Sequence, residues 1–309
     1  MKLIKASFNI IEQGPSIDGI YKIIEQAGRV CYKSEDKITE DSAKEFVERM
    51  IKSGHGAMLE HGTVYLKAKT KVYGGMGSET VECPLDKYAK NPYSVVTGDN
   101  TFIPNYLYVT TNLRVLVENK WFDDLKYQCE PTEFHEKRVT VHFVCDRGVS
   151  HEFVRHRVFS FAQESTRYCN YSKDKFGNEL TFILPPWVDE RQLGEQNSQE
   201  LLIQMGSLSN PTYTQEDLNE LYFLFSLASS EVQYFNLINN GWKPQQARAV
   251  LPNSLKTELV VTGFVSDWKR FFRLRSRIAK TGKPHPQAQE LADPLMDEFV
   301  KRGIMETLL

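Results

Sequence analysis

The stretch Arg138-Val-Thr-Val-His-Phe-Val-Cys-Asp146 alternates apolar and polar side chains along its length. Its apolar residues fall at every second position: Val139, Val141, Phe143 and Cys145. A period of two predicts a β-strand with one face against a core. Directly after the strand, Ser150 is placed to cap a short helix that we expect to run to Arg155. The strand and helix together would hold the residues that follow near a cleft.

Further strands and helices are predicted on both sides of this stretch. Thr63–Lys69 and Leu255–Thr262 have the composition of strands, and Gly263 is expected to break the second of them. A long helix is predicted to begin at a Thr214 cap and to end at Gly241. The chain is therefore expected to mix helices with strands.

The stretch Arg155-His-Arg-Val-Phe-Ser-Phe-Ala-Gln-Glu-Ser-Thr-Arg-Tyr168 concentrates hydrogen-bond donors that suit an anion. It holds three arginines, whose planar guanidinium groups match phosphate, together with neutral Ser and Gln side chains. Composition alone leaves two interpretations open. The stretch is either an anion-binding site or an arginine-rich turn held by salt bridges.

Composition limits the partners that the chain can have. Among 309 residues, 41% are hydrophobic, which is enough to fill the core of one large domain or two small ones. The 38 basic and 40 acidic side chains give a formal net charge of −2, which argues against binding nucleic acid through many phosphates. A local arginine cluster in such a chain suits a small anionic ligand better.

The cysteine content and the hydropathy of the sequence indicate the cellular location to expect for the protein. Five cysteines with no C-x-x-C pair fit neither a disulfide framework nor a zinc site, so a cytoplasmic location is expected. We find no signal-peptide core and no apolar run of membrane-spanning length, so no membrane partner is expected. His151 and His156 are five residues apart and cannot share a metal as an i, i+4 pair does, and no metal site is expected.

A second unusual feature lies in the helix predicted to start at Ser266-Asp267. Trp268, Phe271 and Phe272 fall on one face, and Arg275 continues that face. An unpaired charge pointing toward a core is costly. Either Arg275 snorkels or pairs with an internal carboxylate, or it ends in a pocket where a ligand supplies the partner.

At Arg155-His156-Arg157, followed after seven residues by Ser165, the chain closely resembles the flavin-dependent thymidylate synthases, whose signature is R-H-R-x7-S. The ending Ser165-Thr-Arg167-Tyr168 also matches the longer S-x-R-Y form of the signature. Other blocks resemble the family in the same order: Arg-Val-Cys-Tyr at 29–32, Gly54-His55, Leu59-Glu60-His61, Ser150-His151-Glu152, Ala247-Arg248 and Leu274-Arg275. The resemblance implies one domain over residues 1–309, with family-atypical insertions at about 70–136 and 170–213.

The resemblance implies an α+β fold, with a central, mostly antiparallel sheet flanked by helices and interrupted by the inserted segments. It also implies a homotetramer whose sites are shared between subunits. The implied reaction transfers the methylene group of 5,10-methylenetetrahydrofolate to C5 of dUMP and reduces it to the methyl of dTMP. The implied cofactor is FAD, which NADPH reduces.

Site residues are carried over from the resemblance position by position. Those that match flavin-contacting positions are His55, Arg155, His156, Arg157, Gln163, Arg270 and His285. Those that match positions holding dUMP are Glu152, Arg155, Gln163, Ser165, Arg167, Tyr168, Arg248 and Arg275. Arg275 matches the catalytic arginine that polarises the uracil ring. The chain departs from residues found in family members at six positions: Ala57, Ala162, Gln163, Phe264, Ser266 and Arg270.

Overall fold

We describe the protein from a computed structural model that covers residues 1–73, 80–99, 101, 105–173, 176–204 and 214–308. Its strands are β1 (Lys2–Ile4), β2 (Ser7–Ile11), β3 (Thr63–Lys69), β4 (Lys71–Tyr73), β5 (Thr80–Glu82), β6 (Val95–Gly98), β7 (Tyr106–Asn112), β8 (Arg138–Asp146), β9 (Ser160–Gln163), β10 (Thr181–Ile183), β11 (Gly194–Glu195) and β12 (Lys256–Phe264). Its helices are α1 (Ser16–Tyr32), α2 (Ser42–Ser53), α3 (Gly56–Leu59), α4 (Leu113–Glu118), α5 (Arg147–Phe153), α6 (Ser198–Gln204), α7 (Gln215–Asn239), α8 (Pro244–Ala247), α9 (Val265–Arg275) and α10 (Pro286–Lys301).

The largest sheet in the described part of the chain has four antiparallel strands in the order β2-β8-β12-β9. β8 and β12 pair along their whole lengths, from Arg138 opposite Phe264 to Asp146 opposite Lys256. One face of the sheet buries apolar residues such as Val141 and Phe143 against α5, α9 and α10. On the opposite face, α1 packs Ala27 against residues of β9 and β12. The sheet thus has helices on both faces.

Two further apolar cores lie beside this sheet. One joins α1 and α2 to the antiparallel sheet β3-β7-β6, with Val64, Leu66 and Val109 fully buried. The other packs α7 against the sheet β10-β1-β11, in which β1 runs parallel to β10 and antiparallel to β11. The predicted mixture of helices with antiparallel sheets is therefore confirmed.

Several elements have the bounds that their sequence patterns predict. β8 spans Arg138–Asp146 and β3 spans Thr63–Lys69, because each strand buries alternate side chains and so shows a period of two. Helix α7 begins after Thr214, whose hydroxyl accepts a hydrogen bond from the Asp217 amide while the Asp217 carboxylate accepts one from the Thr214 amide.

Two predictions of element ends are wrong. Helix α5 begins at Arg147, not at Ser150, because the Asp146 carboxylate caps it by accepting from the Val149 amide at 2.6 Å. The Ser150 hydroxyl instead donates to the Arg147 carbonyl, and the helix ends at Phe153. Strand β12 does not break at Gly263 but continues to Phe264, with Gly263 paired opposite Val139.

The segments predicted to be insertions contain secondary structure of their own. The segment 70–136 contributes β4 to β7 and α4, and the segment 170–213 contributes β10, β11 and α6. Parts of both segments lie outside the described residues: 74–79, 100, 102–104, 174–175 and 205–213. Their status as insertions into one domain stays a prediction. Among the described helices, none is both long and apolar enough to cross a membrane.

Candidate functional site

Arg275, at the carboxyl end of α9, meets the end of α5 and the turn that follows it. Its Nη1 donates to the Glu152 carboxylate, its Nη2 donates to the Glu152 carbonyl at 3.2 Å, and its Nε donates to His156 Nε2 at 3.2 Å. Of the two alternatives, the structure shows a carboxylate partner for Arg275. The Arg275 side chain is only 21% exposed, and Glu152 is 33% exposed. Two stretches over a hundred residues apart thus form one small polar cluster.

His156 is the neutral member of this cluster. Its Nε2 accepts a hydrogen bond from Arg275, so the remaining proton of the ring belongs on Nδ1. The imidazole also lies 5.1 Å from the ring of Phe271 and 6.2 Å from that of Phe159, centroid to centroid. Burial, followed by the nearby Arg275 charge, lowers the pKa of His156 to about 4. His156 is therefore uncharged at neutral pH and orients the guanidinium.

Arg155 and Arg157 behave differently from the histidine between them. Both side chains are exposed, and within the described residues neither has a hydrogen bond or ion pair of its side chain. The turn after α5 therefore directs His156 inward and presents two cations outward. The alternative interpretation, a turn held together by salt bridges, is not supported for these two arginines. Two unpaired guanidinium groups side by side fit a phosphate-bearing ligand such as a dinucleotide cofactor.

Gln163 ties strand β9 to helix α5. Its Nε2 donates to the Ser150 hydroxyl at 2.8 Å and to the Thr257 hydroxyl at 3.3 Å, and its backbone lies opposite Leu259 of β12. Because Ser150 and Glu152 belong to the same short helix, this amide joins the cluster around Arg275 to the loop after β9.

That loop, Glu164–Tyr168, lies against the end of α1. The Ser165 amide donates to the Cys31 carbonyl at 3.0 Å, and the Ser165 hydroxyl accepts from the Arg167 amide at 3.3 Å. The Tyr168 ring lies 5.0 Å from the Tyr32 ring and 5.2 Å from the Arg167 guanidinium. The loop therefore has a defined conformation, with the Arg167 and Tyr168 side chains exposed.

Arg248 approaches the same loop from a distant part of the sequence. Its Nη1 donates to the Thr166 hydroxyl at 3.2 Å, and the residue is otherwise exposed. The structure thus places Arg248 against the loop that contains Ser165 and Arg167. Two guanidinium groups and a hydroxyl at one surface have the donor chemistry that a phosphate monoester needs.

Three of the predicted flavin residues lie apart from these clusters within the chain. His55 precedes α3 and is exposed, Arg270 is 71% exposed and lies 3.7 Å from Asp267, and His285 precedes α10 with its ring 5.9 Å from Trp187. Among the described residues, no hydrogen bond, ion pair or ring contact joins them to Arg155, His156 or Arg157. Their predicted roles stay predictions.

The cysteines show no sign of nucleophilic activation. Cys129 Sγ lies 3.9 Å from His135 Nε2, but that nitrogen also lies 3.1 Å from the Leu66 carbonyl and must carry a proton to donate to it. Burial raises the pKa of the Cys129 thiol, and burial raises the pKa of Cys31 to about 11. Both therefore remain thiols at neutral pH. None of the five cysteines forms a disulfide, and no group of His, Cys, Asp and Glu side chains in the described residues could hold a metal ion.

A buried charge network beside the site was not predicted from the sequence. It joins Glu164, in the loop, to Lys256 and Glu258 on β12. The available signal was the sequence Lys256-Thr-Glu258, which places two opposite charges on one face at the start of an apolar strand.

A cavity of about 490 Å³ lies elsewhere in the described part of the chain. It is bounded by the end of β2 and by the starts of α1, β3 and β8, and none of the residues from Arg155 to Tyr168 lines it. The arginine clusters are thus on an open surface of the single chain.

Comparisons with known proteins identify relatives of the chain. The sequence model of the thymidylate synthase complementing protein family matches residues 117–302. A flavin-dependent thymidylate synthase of Mycobacterium avium (strain 104) is 34% identical over 130 residues, which cover 42% of this chain and 46% of the relative. A flavin-dependent thymidylate synthase of Pyrococcus furiosus is 25% identical over 167 residues, which cover 53% of this chain and 55% of the relative. The chain thus spans about half the length of the curated relatives it matches.

Among solved structures, the chain is similar to PolB, a UMP/dUMP methylase from Streptomyces cacaoi. The form bound with 5-Br dUMP gives a TM-score of 0.40 at 15% identity, covering 97% of this chain and 93% of that chain. The form bound with 5-Br UMP gives a TM-score of 0.43 at 15% identity, covering 97% and 92%.

Proposed function

Because the chain belongs to the family of the thymidylate synthase complementing protein, we propose that it is a flavin-dependent thymidylate synthase. The proposed reaction transfers the methylene group of 5,10-methylenetetrahydrofolate to C5 of dUMP and yields dTMP and tetrahydrofolate. Support comes from the relatives that bear this name and from the R-H-R-x7-S signature at Arg155 to Ser165. The observation that carries the proposal is the convergence of Arg275 with Glu152 and His156.

Arg275 is the proposed catalytic residue. Reaction at C5 of a uracil ring is helped when the ring takes on negative charge, and a fixed guanidinium beside a ring carbonyl stabilises that charge. His156 and Glu152 hold the guanidinium at three points, so little reorganisation is needed when the charge develops. Since His156 is neutral, it orients Arg275 without adding a second positive charge. No thiolate is required, which agrees with the passive cysteines.

The loop Glu164–Tyr168 is the proposed dUMP site, together with Arg248, Glu152, Arg155 and Gln163. Ser165, Arg167 and Arg248 supply donors to the phosphate, and Gln163 keeps the loop next to α5. Arg275, bonded to Glu152, is the donor that we assign to the base of the nucleotide. Tyr168, packed on Tyr32, borders the loop.

The residues proposed to hold FAD begin with the outward-facing Arg155 and Arg157, whose unpaired charges fit a diphosphate. The others are His55, His156, Gln163, Arg270 and His285. When bound, FAD supplies the hydride that reduces the transferred methylene group, with NADPH as its reductant. The residues of this chain bind and orient the flavin, and the exposure of His55, Arg270 and His285 is consistent with a site completed by another subunit.

We also propose that residues 1–309 form one domain with insertions at about 70–136 and 170–213, and that the protein acts in the cytoplasm as a homotetramer. The sharing of sites between subunits would account for Arg155 and Arg157, whose side chains have no partner among the described residues. Five cysteines without a disulfide suit a reducing compartment.

The test is an absorbance spectrum combined with an activity assay. The purified protein, reconstituted with FAD, should show a flavin absorbance band at about 450 nm that bleaches when NADPH is added. With methylenetetrahydrofolate added, it should release tritium from C5-labelled dUMP and form dTMP. A protein that binds dUMP but takes up no FAD and releases no tritium would instead be a nucleotide-binding module, and the proposed function would be wrong.

A further inference from the structure

A network of buried charges connects the loop Glu164–Tyr168 to the sheet and to α1. Lys256 Nζ lies 3.0 Å from the Glu164 carboxylate and also donates to the Glu258 carboxylate. Glu258 accepts in addition from Lys33 Nζ at 2.7 Å and from His142 Nε2 at 2.9 Å. The network therefore alternates ammonium and carboxylate groups from the end of α1 through β12 to the loop.

Glu164 depends on Lys256 for charge compensation far more than Glu258 depends on Lys256. The Glu164 side chain is 1% exposed, and its described partners are Lys256 and the Tyr171 hydroxyl at 3.1 Å. A carboxylate so completely removed from water is very costly unless a cation compensates it. Glu258 has three cationic or donating partners, and although burial raises the pKa of its carboxyl, the hydrogen bonds and charges of His142, Lys256 and Lys33 hold that pKa well below its usual range. Lys256 is thus the one ion-pair partner of Glu164 among the described residues.

The position of Glu164 determines the positions of its neighbours in the loop. Its amide donates to the Glu258 carbonyl at 2.9 Å, which extends the pairing of β9 with β12 by one residue. Gln163 on one side bonds Ser150, and Ser165 on the other bonds the Cys31 carbonyl. A shift of Glu164 toward water would therefore disturb the residues before and after it.

We propose that Lys256 is a positioning residue of the nucleotide site, which acts through Glu164 to hold the loop Glu164–Tyr168 in the conformation that binds dUMP. This inference rests on the proposed function only in that dUMP is the ligand of the loop. Lys256 touches no substrate and takes no part in the chemistry. It stabilises the binding conformation by compensating one buried carboxylate.

Removing the Lys256 charge has a defined consequence. In Lys256→Met, Glu258 keeps Lys33 and His142, whereas Glu164 keeps only a neutral hydroxyl. Glu164 then lowers its free energy by turning toward water, which displaces Ser165 and Arg167. Affinity for dUMP falls because binding must restore the loop, while the bound complex reacts as before.

The experiment measures steady-state kinetics and calorimetric binding of dUMP with the FAD-loaded protein. Lys256→Met should raise KM and Kd for dUMP about tenfold and change kcat less than about twofold. The matched control is Lys33→Met, which removes another ammonium from Glu258 without touching Glu164, and should leave both constants within about twofold of wild type. Circular dichroism and thermal unfolding verify that each variant is folded.

A rescue variant separates positioning from packing. Glu164→Gln/Lys256→Met leaves no buried charge uncompensated and should recover dUMP affinity to within about threefold of wild type. Equal defects in the single and double variants, or a Lys256→Met protein with unchanged KM, would contradict the proposal. If Lys256→Met does not fold, the comparison is between Glu164→Gln and the double variant Glu164→Gln/Lys256→Met. Adding Lys256→Met to Glu164→Gln must then cost little further dUMP affinity.

Hydrogen exchange keeps the inference testable apart from the proposed function. Without any ligand, amides of residues 163–169 should exchange faster in Lys256→Met than in wild type or Lys33→Met. Unchanged exchange in this segment would overturn the positioning role. If the wild-type protein does not bind dUMP but residues 163–169 still exchange faster in Lys256→Met, then dUMP is not the ligand of the loop. The role of Lys256 in positioning the loop would remain supported.

Discussion

Arg275 combines a half-buried position with a set of three hydrogen bonds that hold its guanidinium in one orientation. We predict that Arg275→Ala lowers kcat by about 100- to 1000-fold, because a preorganised donor to developing negative charge is lost. Flavin content, measured by absorbance after gel filtration, should not change. Arg277→Ala is the matched control, since Arg277 is two residues away but pairs with Asp297 on the surface. Turnover of Arg275→Ala at the wild-type rate would remove the catalytic role.

His61 is completely buried, with Nδ1 2.8 Å from the Thr262 hydroxyl. Burial, followed by the charge of Arg138, lowers the pKa of His61 to about 3. In the unfolded chain the pKa of His61 is about 6.5. Below that pH the unfolded chain therefore binds a proton at His61 that the folded chain does not bind. The stabilisation is therefore complete above about pH 6.5 and is lost as the pH falls toward the folded value.

We predict that the neutral variant His61→Gln loses less stability on acidification than the wild type. Between pH 7 and pH 5 the titration of His61 should cost the wild type on the order of 2 kcal/mol of unfolding free energy. Urea unfolding of both proteins at the two pH values measures the difference. The other titrating groups are common to both proteins and cancel, so identical pH dependence would show that His61 is not held neutral.

At the scale of single residues, the sequence identified Arg275 as unusual because three aromatic side chains precede it on one helical face. It did not identify Glu152 as the partner, since that contact joins residues over a hundred positions apart. Arg248 and Ser165 were placed together only through the family resemblance, and the structure connects them through Thr166. Glu164 and Lys256 were missed altogether, because nothing local distinguishes a buried ion pair from two surface charges.

At the scale of elements, β12 and the turn after α5 approach each other closely at Gly263. A Cβ atom at that position would lie 2.2 Å from Cδ1 of Phe159, whose ring is held 4.6 Å from Trp268 in the core. We predict that Gly263→Ala lowers the unfolding free energy by about 1–3 kcal/mol, because the ring cannot move without displacing other buried aromatic side chains.

The displacement of Phe159 should also reach Arg157, two residues earlier, and weaken flavin retention. Gly14→Ala serves as the control, since its added methyl group would meet only the Gly19 Cα at an ordinary 3.6 Å. Chemical unfolding and the ratio of FAD to protein after gel filtration measure both effects. Equal stability of the two variants would show that β12 tolerates a side chain at Gly263.

Sequence patterns predicted elements well where one face of the element is buried. β3, β8 and α7 have the predicted limits because their periodicity or capping residues are local properties. The sequence failed where the deciding contact is distant or where two caps compete. Gly263 continues the strand because it pairs with Val139 of β8, and Asp146 caps α5 because its carboxylate accepts from the Val149 amide.

At the scale of the molecule, α1 links two cores. Ile20 and Ile24 are buried in the core that contains α2 and the sheet β3-β7-β6, while Ala27 and Val30 pack against β9 and β12. Polar contacts join the same two parts: Arg138, on β8, donates to the Glu60 carbonyl at 3.0 Å and to the Thr63 hydroxyl at 3.3 Å. The part that carries the arginine site therefore shares a helix and a strand end with the core formed by α2 and the sheet β3-β7-β6.

This shared helix predicts that the chain unfolds as one cooperative unit. Ile24→Ala, on one face of α1, should lower the unfolding free energy by about 2–5 kcal/mol because it leaves a cavity in a fully buried position. Val30→Ala, on the other face, should shift the same transition by a smaller amount, since it removes fewer buried carbon atoms. Lys22→Ala, exposed on the same helix, should change the unfolding free energy little.

Scanning calorimetry of the wild type and the three variants should give one peak for each protein, displaced to different temperatures. If Ile24→Ala split the peak in two and moved only the earlier part, the core around β3 would unfold on its own, and the proposal of one domain over residues 1–309 would be wrong.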